Sequence, residues 1–207
     1  VRGGIAYIEV RCVDVNPFAP VGLEAEQIRF LDTFLLYCLL QDSPPCDESE
    51  QAEQQANLEA VVNRGRQPGL TLSNNGGEQT LQHWGQLLLD DMDSVAKLLD
   101  AAHGQQQYGA SVARQQARVA DPELTPSARV LREMREQDVP FFRLAMNYSL
   151  QWAEYFQQRP LPTETAVALE QESRRSLEAQ RDIEASDDIS FEQYLENFFG
   201  QYQALQG

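Results

Sequence analysis

The sequence predicts a mostly α-helical chain with a single β-strand near its start. Residues 5–12 alternate between side chains of two kinds, which is the pattern of a strand whose faces meet different surroundings. From Glu24 onwards apolar residues recur every three or four positions in most segments, which is the period of an amphipathic helix. The length of 207 residues is enough for one sizeable core.

The predicted strand has one mixed face and one apolar face. Tyr7, Glu9 and Arg11 share the first face, and the second consists of Ala6, Ile8, Val10 and Cys12. A lone strand leaves its backbone N–H and C=O groups unpaired, and only the short segment 70–72 offers a possible partner. We therefore expect a sheet built by residues upstream of Val1. The absence of an initiator Met likewise predicts a fragment, a trimmed chain or the C-terminal product of a longer polypeptide.

Helices are predicted for most of the remaining chain, separated by turns rich in Gly and Pro. The predicted segments, in order, are 24–42, 47–62, 81–103, 105–120, a helix starting at Thr125, 163–185 and a helix starting at Ser190, and the stretch 141–157 is rich in aromatic residues. The first has apolar residues over a broad surface, which predicts deep burial. Thr125 is the expected N-cap of its helix with Pro126 at the first position, and His103-Gly104 is an expected helix end.

This pattern predicts two regions. Residues 1–22 form the strand and a proline-containing loop, and residues 23–207 form the helical region. Within the second region, the charged stretch 164–188 has too few apolar positions for a coiled coil and is expected to be a surface helix or a flexible arm. Residues 163–207 are accordingly expected to form a loosely packed arm.

Composition excludes several classes of function. The net charge of −16 disfavours binding to nucleic acid and to anionic membranes. No apolar run reaches the roughly 18 residues of a membrane span. Three cysteines without a Cys-x-x-Cys spacing predict neither a disulfide framework nor a zinc site. The cytoplasm is the predicted compartment.

Glu9 and Arg11 are the candidate site residues. Because they are two positions apart on a strand, both side chains point the same way and can share one ligand. Mg²⁺ is held by one or two protein carboxylates together with water and phosphate oxygens, and a guanidinium binds phosphate oxygens with a planar fork. The alternative is an ordinary Glu–Arg pair on a solvated face, which is common and weak.

The other candidates have stronger structural interpretations. An exposed loop pair explains Arg64 and Arg66 better than phosphate binding, and the aromatic residues between 141 and 156 are expected to be core. His83 has no partner ligand nearby, and Cys12 is expected to be packing.

Three sequence motifs resemble the glutamate–cysteine ligase family of the proteobacterial type. The first runs from Arg2 to Gly22 and includes Tyr7-Ile8-Glu9-Val10-Arg11 and Asn16-Pro17-Phe18. The second is Gly65-Arg66-Gln67-Pro68-Gly69-Leu70-Thr71-Leu72, and the third is Asp121-Pro122-Glu123-Leu124-Thr125-Pro126-Ser127-Ala128-Arg129. Their order and spacing are similar to those of the C-terminal portion of that ligase.

The resemblance implies an ATP-dependent enzyme with a catalytic α+β sheet similar to that of glutamine synthetase. Such an enzyme phosphorylates the γ-carboxylate of glutamate, and the amine of cysteine attacks the acyl phosphate, in the first step of glutathione biosynthesis. By position, Glu9 resembles a metal ligand for Mg²⁺ or Mn²⁺, and Arg11 resembles the catalytic arginine on the transferred phosphate of ATP. The other site residues would come from the N-terminal part of the ligase, so this chain alone is expected to be inactive. A non-catalytic helical scaffold or interaction module is the alternative function.

Overall fold

The computed structural model describes residues 6–11, 13–74, 76–104 and 106–203 of the chain. Ile5 and Cys12, the ends of the predicted strand, lie outside the described residues. The structure divides into two compact units, one of residues up to Ala153 and one from Glu154 onwards. The predicted division into 1–22 and 23–207, with an arm at 163–207, stays a prediction.

The described residues are mostly helical, as predicted. They form helices α1 (Ala25–Leu40), α2 (Glu48–Arg64), α3 (Leu81–His103), α4 (Gln107–Ala120), α5 (Pro126–Gln137), α6 (Phe141–Gln157), α7 (Thr163–Ser186) and α8 (Phe191–Gln203), with strands β1 (Thr71–Asn74) and β2 (Gly77–Thr80). A short 3₁₀ helix, Pro122–Leu124, joins α4 to α5. None of the described helices is long and apolar enough to cross a membrane.

Helix termini follow the sequence signals closely. The hydroxyl of Thr125 accepts a hydrogen bond from the backbone N–H of Ala128 at 3.3 Å, and Pro126 begins α5. Gly104 ends α3 in the left-handed conformation, with φ of 64°. These two caps confirm the predicted boundaries.

Residues 6–11 form no strand in the structure. They lie in no helix or strand, and among the described residues no other segment pairs with them. Ile8, on the predicted apolar face, is exposed. Alternation indicates which face a partner would cover, but a strand forms only when neighbouring backbone supplies its hydrogen bonds. No described segment supplies them, and the sheet expected from upstream residues stays a prediction.

A β-hairpin that was not predicted lies between α2 and α3. Strands β1 and β2 are antiparallel, with Thr71 opposite Thr80. The extended segment 70–72 and the turn after it were predicted, but the returning strand was missed because its residues are polar. Asn57 on α2 holds β1 by two bonds to Ser73: its Nδ2 donates to the carbonyl at 2.8 Å, and its Oδ1 accepts from the N–H at 2.9 Å.

The core of the first unit lies between α1, α3 and α4. Met92 and Ala96 on α3 are completely buried and pack with Leu89 and Val112. The prediction that α1 is deeply buried is wrong: Thr33 is its only buried residue among those described, and the aromatic side chains of α1 pack on the core while partly exposed. Its broad apolar surface is wider than the contact that α3 and α4 offer.

The second unit is largely solvent-exposed. Helix α7 has no buried residue, and its ion pairs are local, Arg174 with Glu170 and Arg175 with Glu172. This confirms the prediction of a charged surface helix for that segment.

Candidate functional site

Glu9 and Arg11 lie side by side on the described N-terminal segment. The Arg11 Nη2 donates to the Glu9 Oε2 at 2.8 Å. Their side chains are 55% and 81% exposed, respectively, so both are open to a ligand. The pair therefore has the shared direction that the alternation predicts. No cluster of three or more potential metal-ligating His, Cys, Asp or Glu side chains occurs within the part of the chain that the structure describes.

The loop after this segment has a fixed conformation. Asn16 is 7% exposed, and its Oδ1 accepts a hydrogen bond from the Phe18 N–H at 3.0 Å. The Asn16 N–H donates to the carbonyl of Gly22 at 2.8 Å, which closes the loop. Gly22 has φ of +75°, and a Cβ there would lie 2.9 Å from Cγ1 of Val15. This position therefore requires glycine.

Phe18 is held between side chains of α5 and α6. The guanidinium carbon of Arg129 lies 3.6 Å from the centre of the Phe18 ring, and Tyr148 meets that ring edge-to-face at 5.1 Å between centroids. Glu133 joins the two partners: one carboxylate oxygen accepts from Arg129 Nε at 2.8 Å, the other from the Tyr148 hydroxyl at 2.6 Å. We call Phe18, Arg129, Glu133 and Tyr148 the Phe18 anchor.

In the Phe18 anchor, the hydrogen bonds among Arg129, Glu133 and Tyr148 shift the pKa values of all three groups. Burial alone would raise the pKa of Glu133, but the hydrogen bonds from Tyr148 and Arg129 more than offset it, and the pKa is lowered. Burial and the bond to Glu133 raise the pKa of Tyr148. Burial alone would lower the pKa of Arg129. The hydrogen bond to Glu133 and its negative charge outweigh burial, so the pKa of Arg129 is raised. At neutral pH the carboxylate is thus ionised and both partners donate to it.

A second hydrogen bond connects the same loop to α6. The indole Nε1 of Trp152 donates to the carbonyl of Pro17 at 2.8 Å. Trp152 lies one helical turn after Tyr148, so both side chains project from one side of α6 towards the loop. Two successive loop residues, Pro17 and Phe18, are therefore each tied to the helices.

The three motifs come together in the first unit. Phe18 of the first motif contacts Arg129 of the third. Arg66 of the second motif lies 3.8 Å from Glu123 of the third, measured from Nη1 to Oε1. Arg66 thus has a carboxylate partner and is half-buried, and Arg64 is the last residue of α2, so the predicted exposed loop pair is only partly right.

The histidines, Cys12 and the aromatic residues of α6 were the other residues considered in the sequence. His103 lies at the end of α3 and stacks on Tyr108 at 5.4 Å, and His83 is exposed in the first turn of α3. Cys12 lies outside the described residues. The prediction that the aromatic residues of α6 are core is wrong. None of them is buried: Tyr148, Trp152 and Tyr155 are half-buried, whereas Phe141, Phe142 and Phe156 are exposed.

Sequence reasoning missed the Phe18 anchor. One signal was available, because Arg129 ends the third motif and Glu133 follows it at the i+4 spacing of a helical ion pair. The contact of Arg129 with Phe18 joins residues more than 100 positions apart, for which the sequence offers no local pattern.

Comparison with known proteins gives a consistent result. The glutamate–cysteine ligase family model matches residues 1–61, the part that contains Glu9, Arg11 and the loop with Phe18. The chain is 43% identical over 208 residues to the glutamate–cysteine ligase of Azotobacter vinelandii, covering 100% of this chain and 38% of the relative. It is 42% identical over 201 residues to that of Pseudomonas paraeruginosa, covering 97% and 37%.

A solved structure supports the same conclusion. The glutamate–cysteine ligase of Francisella tularensis, determined in complex with AMP, superposes with a TM-score of 0.81 at 25% identity, over 92% of this chain and 37% of that one. The chain thus spans a little over a third of the length of the proteins it matches. Its sequence and its fold are thus similar, over nearly the whole of this chain, to part of the glutamate–cysteine ligases.

Proposed function

We propose that this chain supplies one wall of the active site of an ATP-dependent ligase that joins the γ-carboxylate of glutamate to the amine of cysteine. The observation that carries the proposal is the exposed Glu9–Arg11 pair within the residues that match the family model. Glu9 is the metal ligand, and Arg11 contacts the phosphoryl group in transfer.

The donor set of this segment fits a Mg²⁺ or Mn²⁺ ion shared with nucleotide. Mg²⁺ uses one or two protein carboxylates and takes its other oxygens from water and phosphate, so one exposed carboxylate such as Glu9 matches part of such a shell. When bound, the ion would neutralise charge on the phosphates. No described cluster offers a complete protein-only site, and the remaining ligands would come from a complementary polypeptide.

Arg11 can bind phosphate while it keeps its hydrogen bond to Glu9. A guanidinium has five N–H donors, and the bond to Glu9 Oε2 uses one nitrogen, Nη2. The other donors remain free to hold oxygens of the γ-phosphoryl group while it moves from ATP to the glutamate carboxylate and ADP leaves. The transferred group carries its charge on the equatorial oxygens, which a planar guanidinium stabilises. The cysteine amine then attacks the acyl carbon, loses a proton, and releases phosphate.

Glutamate, cysteine and ATP are thus the proposed substrates, and the rest of the ligase is the proposed partner. The Francisella protein was solved with AMP, which supports adenine nucleotide as a ligand of this family. The proposed compartment is the cytoplasm, where reduced thiols are the rule, and the described cysteines Cys38 and Cys46 are free.

A second candidate function is a non-catalytic helical scaffold. It is favoured by the same exposure of Glu9 and Arg11, since an isolated exposed ion pair is common on protein surfaces.

A chimera tests the proposal. In the Azotobacter ligase, this chain replaces the matching 38% of the sequence, and ADP release is measured with glutamate and cysteine. We expect ADP formation that requires both amino acids. Arg11→Ala should lower turnover by about 10²-fold or more, as expected for loss of a group that stabilises transferring phosphate. Arg175→Gln, an exposed ion-paired arginine on α7, is the matched control and should leave turnover unchanged.

Two results would count against the proposal. A chimera that is folded yet forms no ADP would favour the scaffold function. An active chimera in which Arg11→Ala behaves like Arg175→Gln would remove Arg11 from the site.

A further inference from the structure

The Phe18 anchor is the first firm attachment of the N-terminal segment to the helices. Within the described residues, the hydrogen bonds and ion pairs of 6–11 are confined to the Glu9–Arg11 pair. Among the described residues, Pro17 then accepts a hydrogen bond from a helix and Phe18 makes a ring contact with one, six and seven positions after Arg11. Whatever fixes this loop therefore also limits where Arg11 can lie.

The anchor is built to fix a ring in one orientation. Arg129 covers the face of Phe18, whereas Tyr148 meets it edge-on. Because Arg129 and Tyr148 both bond to the carboxylate of Glu133, neither can turn away without losing a charge-assisted hydrogen bond. The Glu133 side chain is only 15% exposed, so water replaces these bonds poorly.

The loop transmits this position towards the site segment. The side-chain amide of Asn16 is bonded to the N–H of Phe18, and its backbone is bonded to Gly22. The Trp152 bond to Pro17 adds a second point of attachment. Two attachment points on adjacent residues fix the place from which the chain leads back to Arg11.

We propose that Phe18, held by Arg129 and Tyr148, is a positioning residue that sets the location of Glu9 and Arg11 relative to the helical unit. This inference rests on the proposed function and goes beyond it, because it gives the third motif a role: Thr125 caps α5, and α5 presents Arg129 to the loop. Positioning matters because a displacement of about 1 Å in a catalytic group can cost about 10²-fold in rate.

The test separates positioning from simple stabilisation. In the active chimera, Phe18→Leu removes the ring, Phe18→Tyr keeps it, and kcat, KM for ATP and Tm are measured for each. We expect Phe18→Leu to lower kcat by about tenfold or more, a smaller loss than that of a full 1 Å displacement. Phe18→Tyr should recover kcat to within about twofold, because its ring retains both contacts. Arg129→Lys and Tyr148→Phe are milder variants for use if Phe18→Leu does not fold.

Arg114→Gln is the matched control. Arg114 is ion-paired to Glu26 at 2.7 Å and is 54% exposed, close to the 46% of Arg129, but its ion pair joins α4 to α1 and includes no residue of the Phe18 anchor. Its kcat should remain within about twofold of the unsubstituted chimera. In the chain alone, hydrogen exchange at the amides of Asn16, Phe18 and Gly22 should accelerate with Phe18→Leu and not with Arg114→Gln.

The outcomes are distinct. An active chimera in which Phe18→Leu lowers Tm but leaves kcat unchanged refutes the positioning role alone. Unaltered loop exchange in Phe18→Leu does the same. A folded chimera that forms no ADP before any substitution refutes the proposed function, and the positioning role falls with it.

Discussion

Glu133→Gln removes one charge from the Phe18 anchor and leaves its shape nearly intact. The carboxylate accepts two hydrogen bonds, from Arg129 at 2.8 Å and from Tyr148 at 2.6 Å. Hydrogen bonds to charged groups contribute about 1.5–3 kcal/mol each, and a glutamine can keep one of the two in neutral form. Since Arg129 is half exposed, part of its share is screened. We therefore expect the free energy of unfolding to fall by about 2 kcal/mol at neutral pH.

The loss of stability in Glu133→Gln should depend on pH, and its direction follows from the pKa of Glu133. The pKa of Glu133 is lowered from its ordinary value of 4.5 in the folded protein. A carboxyl with a depressed folded pKa contributes stability above its unfolded pKa, and that contribution is lost as the pH falls through the folded pKa. The difference between Glu133→Gln and the unsubstituted chain should therefore be full at about pH 7 and shrink steadily below about pH 4.5.

Urea unfolding followed by circular dichroism over a pH series measures the difference directly. At about 2–4 °C per kcal/mol for a chain of this size, Tm should drop by about 4–8 °C at neutral pH. Glu170→Gln on α7, an exposed partner of Arg174 at the same i,i+4 spacing, should change the free energy of unfolding by less than about 0.5 kcal/mol. A loss for Glu133→Gln that is the same at pH 7 and well below pH 4.5, or no greater than that of Glu170→Gln, would refute the reasoning.

Three further predictions concern packing, the loop and the N-terminal segment. Met92→Ala empties the centre of the core at a completely buried position and should cost about 2–5 kcal/mol by urea unfolding; a cost below about 1 kcal/mol would contradict the described packing. Gly22→Ala forces a side chain into a positive φ and against Val15, and should destabilise by about 1–2 kcal/mol in the same assay, with an unchanged midpoint as the contrary result. Residues 6–11 have no strand partner among the described residues, so their amides should exchange rapidly in the isolated chain, whereas slow exchange would show that another segment covers them.

The helices were predictable because their signals are local. Thr125-Pro126 and His103-Gly104 mark helix ends by chemistry that acts within one turn, and both ends lie where the sequence places them. Residues 6–11 of the predicted strand form none in the structure, and strand β2 was not predicted; both differences have another cause. A strand depends on backbone partners elsewhere in the chain, and neither alternation nor polarity indicates whether the partner is present.

The candidate site was predictable only in part. The i,i+2 spacing placed Glu9 and Arg11 together, and the structure has their side chains 2.8 Å apart. The loop contacts of Phe18 and Trp152 could not be foreseen, because they join residues separated by more than 100 positions. The motif around Arg129 was recognised as a pattern, but only the fold reveals what it touches.

ADP formation by the chimera with and without Arg11→Ala tests the central claim most directly. The account predicts that the chimera carrying this chain forms ADP only with both glutamate and cysteine present. It also predicts that Arg11→Ala lowers turnover by about 10²-fold while Tm stays within a few degrees, because the Arg11 side chain is 81% exposed and supports little packing. Equal turnover with and without Arg11→Ala, at equal Tm, would contradict the claim that this segment forms part of the active site.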